Sequence, residues 1–202
     1  MIELYGNAST RALRCLWAAE ECGAPYKHVP IDFATGAHQT PAYLAMNPNA
    51  RVPTLRDGDL VIFESTAIAI YIAERHPEAA LIPKRPTRES ALFDQWMYWL
   101  GCELEQALWS LAKHKFALPA TYRIEDMKKT ARFEYERAVP VLAAAVKGRD
   151  HIVGDGFTLV DLFAAHNIMW AKRAKMEVSD DLERYASLHM GRPACTRALS
   201  LL

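Results

Sequence analysis

The sequence predicts an α/β domain followed by an all-α one, and three observations predict it. First, alternating apolar and polar residues at Ile2 to Tyr5 and Tyr26 to Ile31 flank a helical pattern, which reads as a strand–helix–strand unit. Second, Asp57-Gly58 separates two apolar, β-branched runs, the strongest short signal for a tight hairpin. Third, the composition shifts after Arg75. His76-Pro77 to Pro86 holds several prolines and no period, and only helical patterns follow it. The expected division is residues 1–77, a linker at 78–86, and a helical bundle at 87–202.

Each element has its own reason. Gly6 ends strand 1, and Asn7-Ala8-Ser9-Thr10 is a loop rich in helix-capping residues. Helix 1 carries Leu13, Leu16 and Trp17 on one face and ends at Gly23, followed by Pro25. Thr40 before Pro41 is an N-cap with proline at the first helical position, so Pro41 to Met46 is a short helix. The hairpin follows, and a helix is expected from Ser65 as N-cap. The order βαβαββα, with a parallel βαβ unit and an antiparallel hairpin, gives a thioredoxin-like sheet. In the second half, Leu92, Trp96, Trp99, Leu100, Leu104, Leu108 and Leu111 mark one face of a long helix. A second long helix spans Ile124 to Lys147, with Pro140 expected to kink or break it. Thr158 to Asp161 has the form of a capping box, with Phe157 as its staple residue and an apolar helix behind it. Asp180 to Met190 and Pro193 to Leu201 close the chain as shorter helices.

Composition excludes several functions. Lys+Arg and Asp+Glu are 24 each, so the formal net charge is zero and nothing favours a nucleic acid or a membrane surface. No apolar run has the length of a membrane span, and the start has no signal-peptide pattern. The four cysteines show no CxxC spacing, which fits free thiols in a reducing, cytoplasmic setting. The seven histidines form no HxxxH or HExxH pair, so no metal site is expected.

One stretch has the character of a site. A strand that ends at Glu64 and opens a helix at Ser65 combines a carboxylate with free helix N–H groups. An amino-acid head group, with one amine and one carboxylate, satisfies both.

Leu4-Tyr5-Gly6, Val29-Pro30-Ile31-Asp32-Phe33, His38-Gln39-Thr40-Pro41, Asn47-Pro48, Arg51-Val52-Pro53 and Glu64-Ser65 resemble, in order and spacing, the soluble glutathione transferases. Phe157-Thr158-Leu159-Val160-Asp161 extends the resemblance into the helical half, and Arg192-Pro193-Ala194 resembles a motif of bacterial and theta-like C-termini. The N-terminal half is most similar to the phi class and then to theta-like and bacterial members. The resemblance implies a transferase that joins the glutathione thiolate to a hydrophobic electrophile, with glutathione as co-substrate and no further cofactor. It also implies a homodimer, and an apolar electrophile site lined by the helical domain. A glutathione-dependent peroxidase or isomerase, and a non-catalytic interaction module, are the alternatives.

Residue roles come from the same resemblance. Glu64 and Ser65 hold the γ-glutamyl amine and carboxylate. The main chain of Val52, before a cis Pro53, pairs with the cysteinyl part. His38, with Gln39 where Lys is frequent, faces the glycyl carboxylate, and Arg51 replaces the usual Gln. A hydroxyl near the end of strand 1 activates the thiol. Ser9 ranks first, Thr10 second and Tyr5 third. Cys15 lies inside helix 1 and reads as a small buried hydrophobe.

Overall fold

A computed structural model describes residues 1–201. The chain forms two compact units, Met1–Ile82 together with the residues from Gly191 on, and Pro83–Met190.

The first unit is built on β1 (Ile2–Tyr5), α1 (Ala12–Glu21), β2 (Tyr26–Val29), α2 (Pro41–Met46), β3 (Thr54–Asp57), β4 (Leu60–Phe63) and α3 (Ser65–Glu74). The sheet order is β2-β1-β3-β4. β1 and β2 run parallel, and β3 is antiparallel to both β1 and β4. This is the expected thioredoxin-like arrangement. The core between sheet and helices is Leu4, Leu13, Leu16, Trp17, Leu55, Ile68 and Ile72, each 2% exposed or less. Burial of such side chains is worth about 1.5–3 kcal/mol each.

Three details differ from the sequence reading. Asp57 pairs with Leu60, so the two turn residues are Gly58 and Asp59, with Gly58 at φ 63°. β2 stops at Val29, because Pro30 has no N–H to continue the ladder. The third concerns the C-terminus, which was expected to belong to the helical domain. α9 (Pro193–Leu199) instead packs on α1 in the first unit, burying Ala194, Cys195 and Ala198. Arg192 donates to both Glu21 oxygens at 2.6 and 2.8 Å, and Arg197 donates to Glu20 at 2.6 Å.

The second unit holds α4 (Arg88–Trp99), α5 (Glu105–Ala112), α6 (Glu125–Val146), α7 (Leu159–Arg173) and α8 (Asp180–Met190). α4 and α5 form one long helix interrupted by a π-helical turn at Leu100–Leu104, and a second π turn follows at Lys113–Ala117. The insertion shifts the phase of the buried face. Phe93 and Met97 are in the core at that end, where the sequence reading had placed Leu92, Trp96 and Trp99. Leu92 is exposed and the two tryptophans are half-buried, stacked edge to face with centroids 5.2 Å apart. α6 runs through Pro140 as one helix. α7 begins with the capping box that Thr158 and Asp161 announced.

Candidate active site at the strand ends

The sheet register explains how residues distant in sequence meet. Tyr5 pairs with Val29 on one side and Thr54 on the other, and Thr54 pairs with Phe63. These four residues form the last row of the sheet. What leaves that row emerges on one edge: Gly6 to Thr10 after β1, Pro30 and Ile31 after β2, Val52-Pro53 before β3, and Glu64-Ser65 after β4.

The loops are held from below. Asn7 donates its amide to Ile31 O and accepts from Ile31 N, both at 2.8 Å, tying the loop after β1 to the end of β2. Gly6 has φ 134°, and a Cβ there would lie 2.6 Å from Ala12 Cβ and 3.0 Å from Val52 Cβ. Only glycine fits this crossing. The Arg51 carbonyl accepts from Tyr43 Oη at 2.7 Å and from Asn47 Nδ2 at 2.8 Å, which sets the path into Val52. The Val52–Pro53 bond is cis, as the resemblance implied. Val52 lies ahead of the first ladder pair of β3, and among the described residues no hydrogen bond joins its N–H or C=O to the chain. That backbone is an unpaired strand edge, suited to an added peptide.

The N-cap falls one residue earlier than expected. Glu64 is the N-cap residue and Ser65 the first residue of α3. Glu64 has φ 76° and ψ 117°, its side chain makes no cap, and it is exposed. A non-glycine residue held at positive φ stores about 1–3 kcal/mol, a feature common at ligand sites. The consequence is an uncapped helix start with its dipole end and N–H groups open. Ser65 is 6% exposed. Its Oγ accepts from Arg14 Nη1 at 3.2 Å, so its own proton is free to point elsewhere. The sequence analysis gave Arg14 no role. Its 1% exposure and its contact with Ser65 make it a support of the site.

The three hydroxyls are placed differently. Tyr5 Oη donates to Glu3 Oε2 at 2.8 Å, and its ring packs against Tyr43. Burial and the Glu3 carboxylate raise its pKa, so it is a bound phenol with its proton committed. Thr10 Oγ1 donates to Asn7 O at 2.7 Å and accepts from Ala12 N at 3.1 Å, and is thereby spent on the start of α1. Ser9 is exposed, and among the described residues its hydroxyl has no hydrogen-bond partner. His38 lies in a turn at Ala37–Gln39 with its ring 4.9 Å from Phe33, and its Nδ1 is buried without a partner among the described residues. Gln39 and Arg51 are exposed. No cysteine competes for the role of nucleophile here. Cys15 is fully buried, its thiol pointing to Ser65 O at 3.6 Å, and burial pushes its pKa up. Cys22 and Cys195 are pushed up to about 12 for the same reason.

A thioredoxin-like sheet with a cis-proline strand entry and an open helix start, joined to a helical unit, defines the class of protein. Comparison with known proteins names the family. The family model for the glutathione S-transferase N-terminal domain matches residues 1–74, and that for the C-terminal domain matches residues 104–189. A probable glutathione S-transferase, GSTF2 of Oryza sativa subsp. japonica, is 32% identical over 166 residues, covering 80% of this chain and 76% of the relative. A solved glutathione transferase homologue from Sulfitobacter with bound glutathione is 25% identical with TM-score 0.85, covering 100% of this chain and 99% of that one. The theta class glutathione S-transferase of Xanthomonas axonopodis pv. citri with glutathione bound is 29% identical with TM-score 0.82, covering 98% and 96%. The chain belongs to the glutathione S-transferase family.

Proposed function

We propose that this protein is an enzyme that conjugates the thiolate of glutathione to hydrophobic electrophiles, a glutathione transferase acting in detoxification. The observation that carries the reading is the open start of α3 beside the unpaired Val52 backbone. The uncapped N–H groups and the Ser65 hydroxyl bind the γ-glutamyl carboxylate, and the Glu64 carboxylate holds the amine. The Val52 main chain pairs with the cysteinyl unit. His38 faces the glycyl carboxylate, and Gln39 and Arg51 border it.

This pose brings the thiol to the loop after β1, where Ser9 offers the one uncommitted hydroxyl of the three. A free thiol has a pKa of about 8.5 and is mostly protonated at neutral pH. A hydrogen bond from Ser9 to the sulfur, near the start of α1, favours the anion. Little else is needed beyond holding the electrophile close to the thiolate. A non-catalytic module would have no use for that arrangement. The test is turnover of chlorodinitrobenzene and a panel of halides, epoxides and peroxides with glutathione. No turnover with any of them, together with no retention on immobilised glutathione, would reject the reading.

Two further properties belong to the same reading. The four free cysteines fit a reducing, cytoplasmic setting, and no helix among the described residues is long and apolar enough to cross a membrane. The enzyme works as a homodimer, with no nucleic acid or membrane partner. Light scattering at micromolar concentration should give twice the chain mass of 22.7 kDa, and a monomer would refute the dimer.

A further inference from the structure

Within the helical unit, the loop between α6 and α7 brings His151 against the start of α7 and the last turn of α8. One ligand atom from each of His151, Asp161 and His189 lies within 4.8 Å of the other two. Sequence spacing hid this group, because its members sit on three different segments.

Asp161 is fully buried, and all four of its hydrogen bonds come from neutral donors. Ile152 N at 2.9 Å and Tyr185 Oη at 2.5 Å reach Oδ1. Thr158 N at 2.8 Å and Thr158 Oγ1 at 3.2 Å reach Oδ2. The His151 Nδ1 atom stands 3.8 Å from Oδ2, too far for a hydrogen bond, and it is buried with no other partner among the described residues. His189 Nε2 lies 2.8 Å from the Asp150 carbonyl. A carbonyl only accepts, so Nε2 carries the proton and the basic lone pair is on Nδ1. A backbone carbonyl that holds one imidazole N–H, leaving the other ring nitrogen to the ion, is the usual support of a metal-bound histidine.

We propose that His151, Asp161 and His189 form a site for one divalent transition-metal cation of the zinc class. Two imidazoles and a carboxylate suit Zn²⁺, whereas Mg²⁺ and Ca²⁺ want oxygen donors. Tetrahedral Zn²⁺ with bonds of 2.0–2.1 Å sets its ligand atoms about 3.3 Å apart. The 3.8 Å gap closes by a small swing of His151, whose side chain is 24% exposed and sits on a loop. The weakest contact on Asp161, from Thr158 Oγ1, yields its lone pair. Thr158 Oγ1 keeps its cap on Val160 N at 3.2 Å. Water entering past His151 completes the shell. Such an ion ties the α6–α7 loop to α7 and α8, so its effect falls on the stability of this unit and not on the glutathione chemistry.

The experiment is calorimetric titration and thermal unfolding of the full chain with zinc chloride, in a non-chelating buffer without added thiol. The wild type is compared with His151→Ala and Cys102→Ser, because Cys102 is an exposed thiol. The site predicts one equivalent bound and a Tm rise of about 5–10 °C at zinc a hundredfold above Kd. Mg²⁺ should give no rise. His151→Ala should keep the metal-free Tm and bind zinc at least tenfold more weakly, and Cys102→Ser should behave as wild type. If His151→Ala fails to fold, the visible spectrum of the Co²⁺-loaded wild type decides between tetrahedral nitrogen–oxygen ligation and none. Absence of a zinc-dependent rise, equal affinity in His151→Ala, or loss of binding only in Cys102→Ser would overturn the proposal.

Discussion

Two helix starts in this protein are built in opposite ways. α7 begins at a closed terminus. Thr158 caps it, Asp161 returns the bond to the Thr158 N–H, and both are buried. α3 begins at an open one. Its N-cap residue is Glu64, held at positive φ, with its side chain turned away from capping. Both termini have the same dipole and the same orphan N–H groups. In α7 the chain satisfies them itself, and in α3 it leaves them for something else. A stable terminus and a binding terminus are therefore told apart by where the local side chains spend their hydrogen bonds. The start of α1 repeats the contrast within two residues, since Thr10 is spent on the backbone and Ser9 is not.

The comparison is broken most strongly at the closed end. Asp161→Ala strips four donors of their acceptor in a buried place. It should cost about 4 kcal/mol in denaturant unfolding, while the glutathione affinity of whatever protein remains folded stays within twofold. A loss below about 1 kcal/mol would mean that the capping box is not what holds that terminus.

The hydroxyls just before α1 give the next effect. A hydrogen bond to charged sulfur is worth about 1.5–3 kcal/mol, so Ser9→Ala should raise the pKa of bound glutathione by about one to two. Thiolate absorbance titrated against pH checks this. The sign is that of a pKa depressed in the wild type: the thiolate forms at lower pH with Ser9 than without it. Thr10→Ala should instead lower stability by about 1 kcal/mol and leave the thiol titration in place. Should only Thr10→Ala or Tyr5→Phe move the titration, Ser9 is the wrong hydroxyl.

The smallest effect sharpens the contrast at α3. Glu64→Gly removes the strain of a φ of 76°. It should raise stability by about 1 kcal/mol and weaken glutathione binding at the same time. Stability gained at the expense of binding is the mark of a residue kept for its ligand.

Much of this was readable from residues alone. The βαβαββα order, α2 at Pro41–Met46, the Thr158–Asp161 box and the Glu64-Ser65 junction all rest on local rules of turn, cap and period. What was not readable depends on partners far along the chain. Asn7 gains its role from Ile31, and Arg14 its role from Ser65. α9 belongs to the first unit because Ala194, Cys195 and Ala198 bury themselves against α1, with Arg192 on Glu21 beside them. The shift of the N-cap from Ser65 to Glu64 has a different cause. Capping statistics favour a small polar residue at the N-cap, and they say nothing of a glutamate forced into positive φ to keep its carboxylate free. The face of α4 shifted because a π turn carries no signature in hydrophobic spacing.

The central claim is that the open start of α3 holds the γ-glutamyl head of glutathione. Calorimetric titration of glutathione and of cysteinylglycine, which lacks that head, tests it most directly in the wild type and in Ser65→Ala. The wild type should bind glutathione at least about a hundredfold more tightly than cysteinylglycine, and Ser65→Ala should lose about 10–100-fold for glutathione while cysteinylglycine is unchanged. Equal affinities for the two peptides in the wild type, or an equal loss for both in Ser65→Ala, would contradict it.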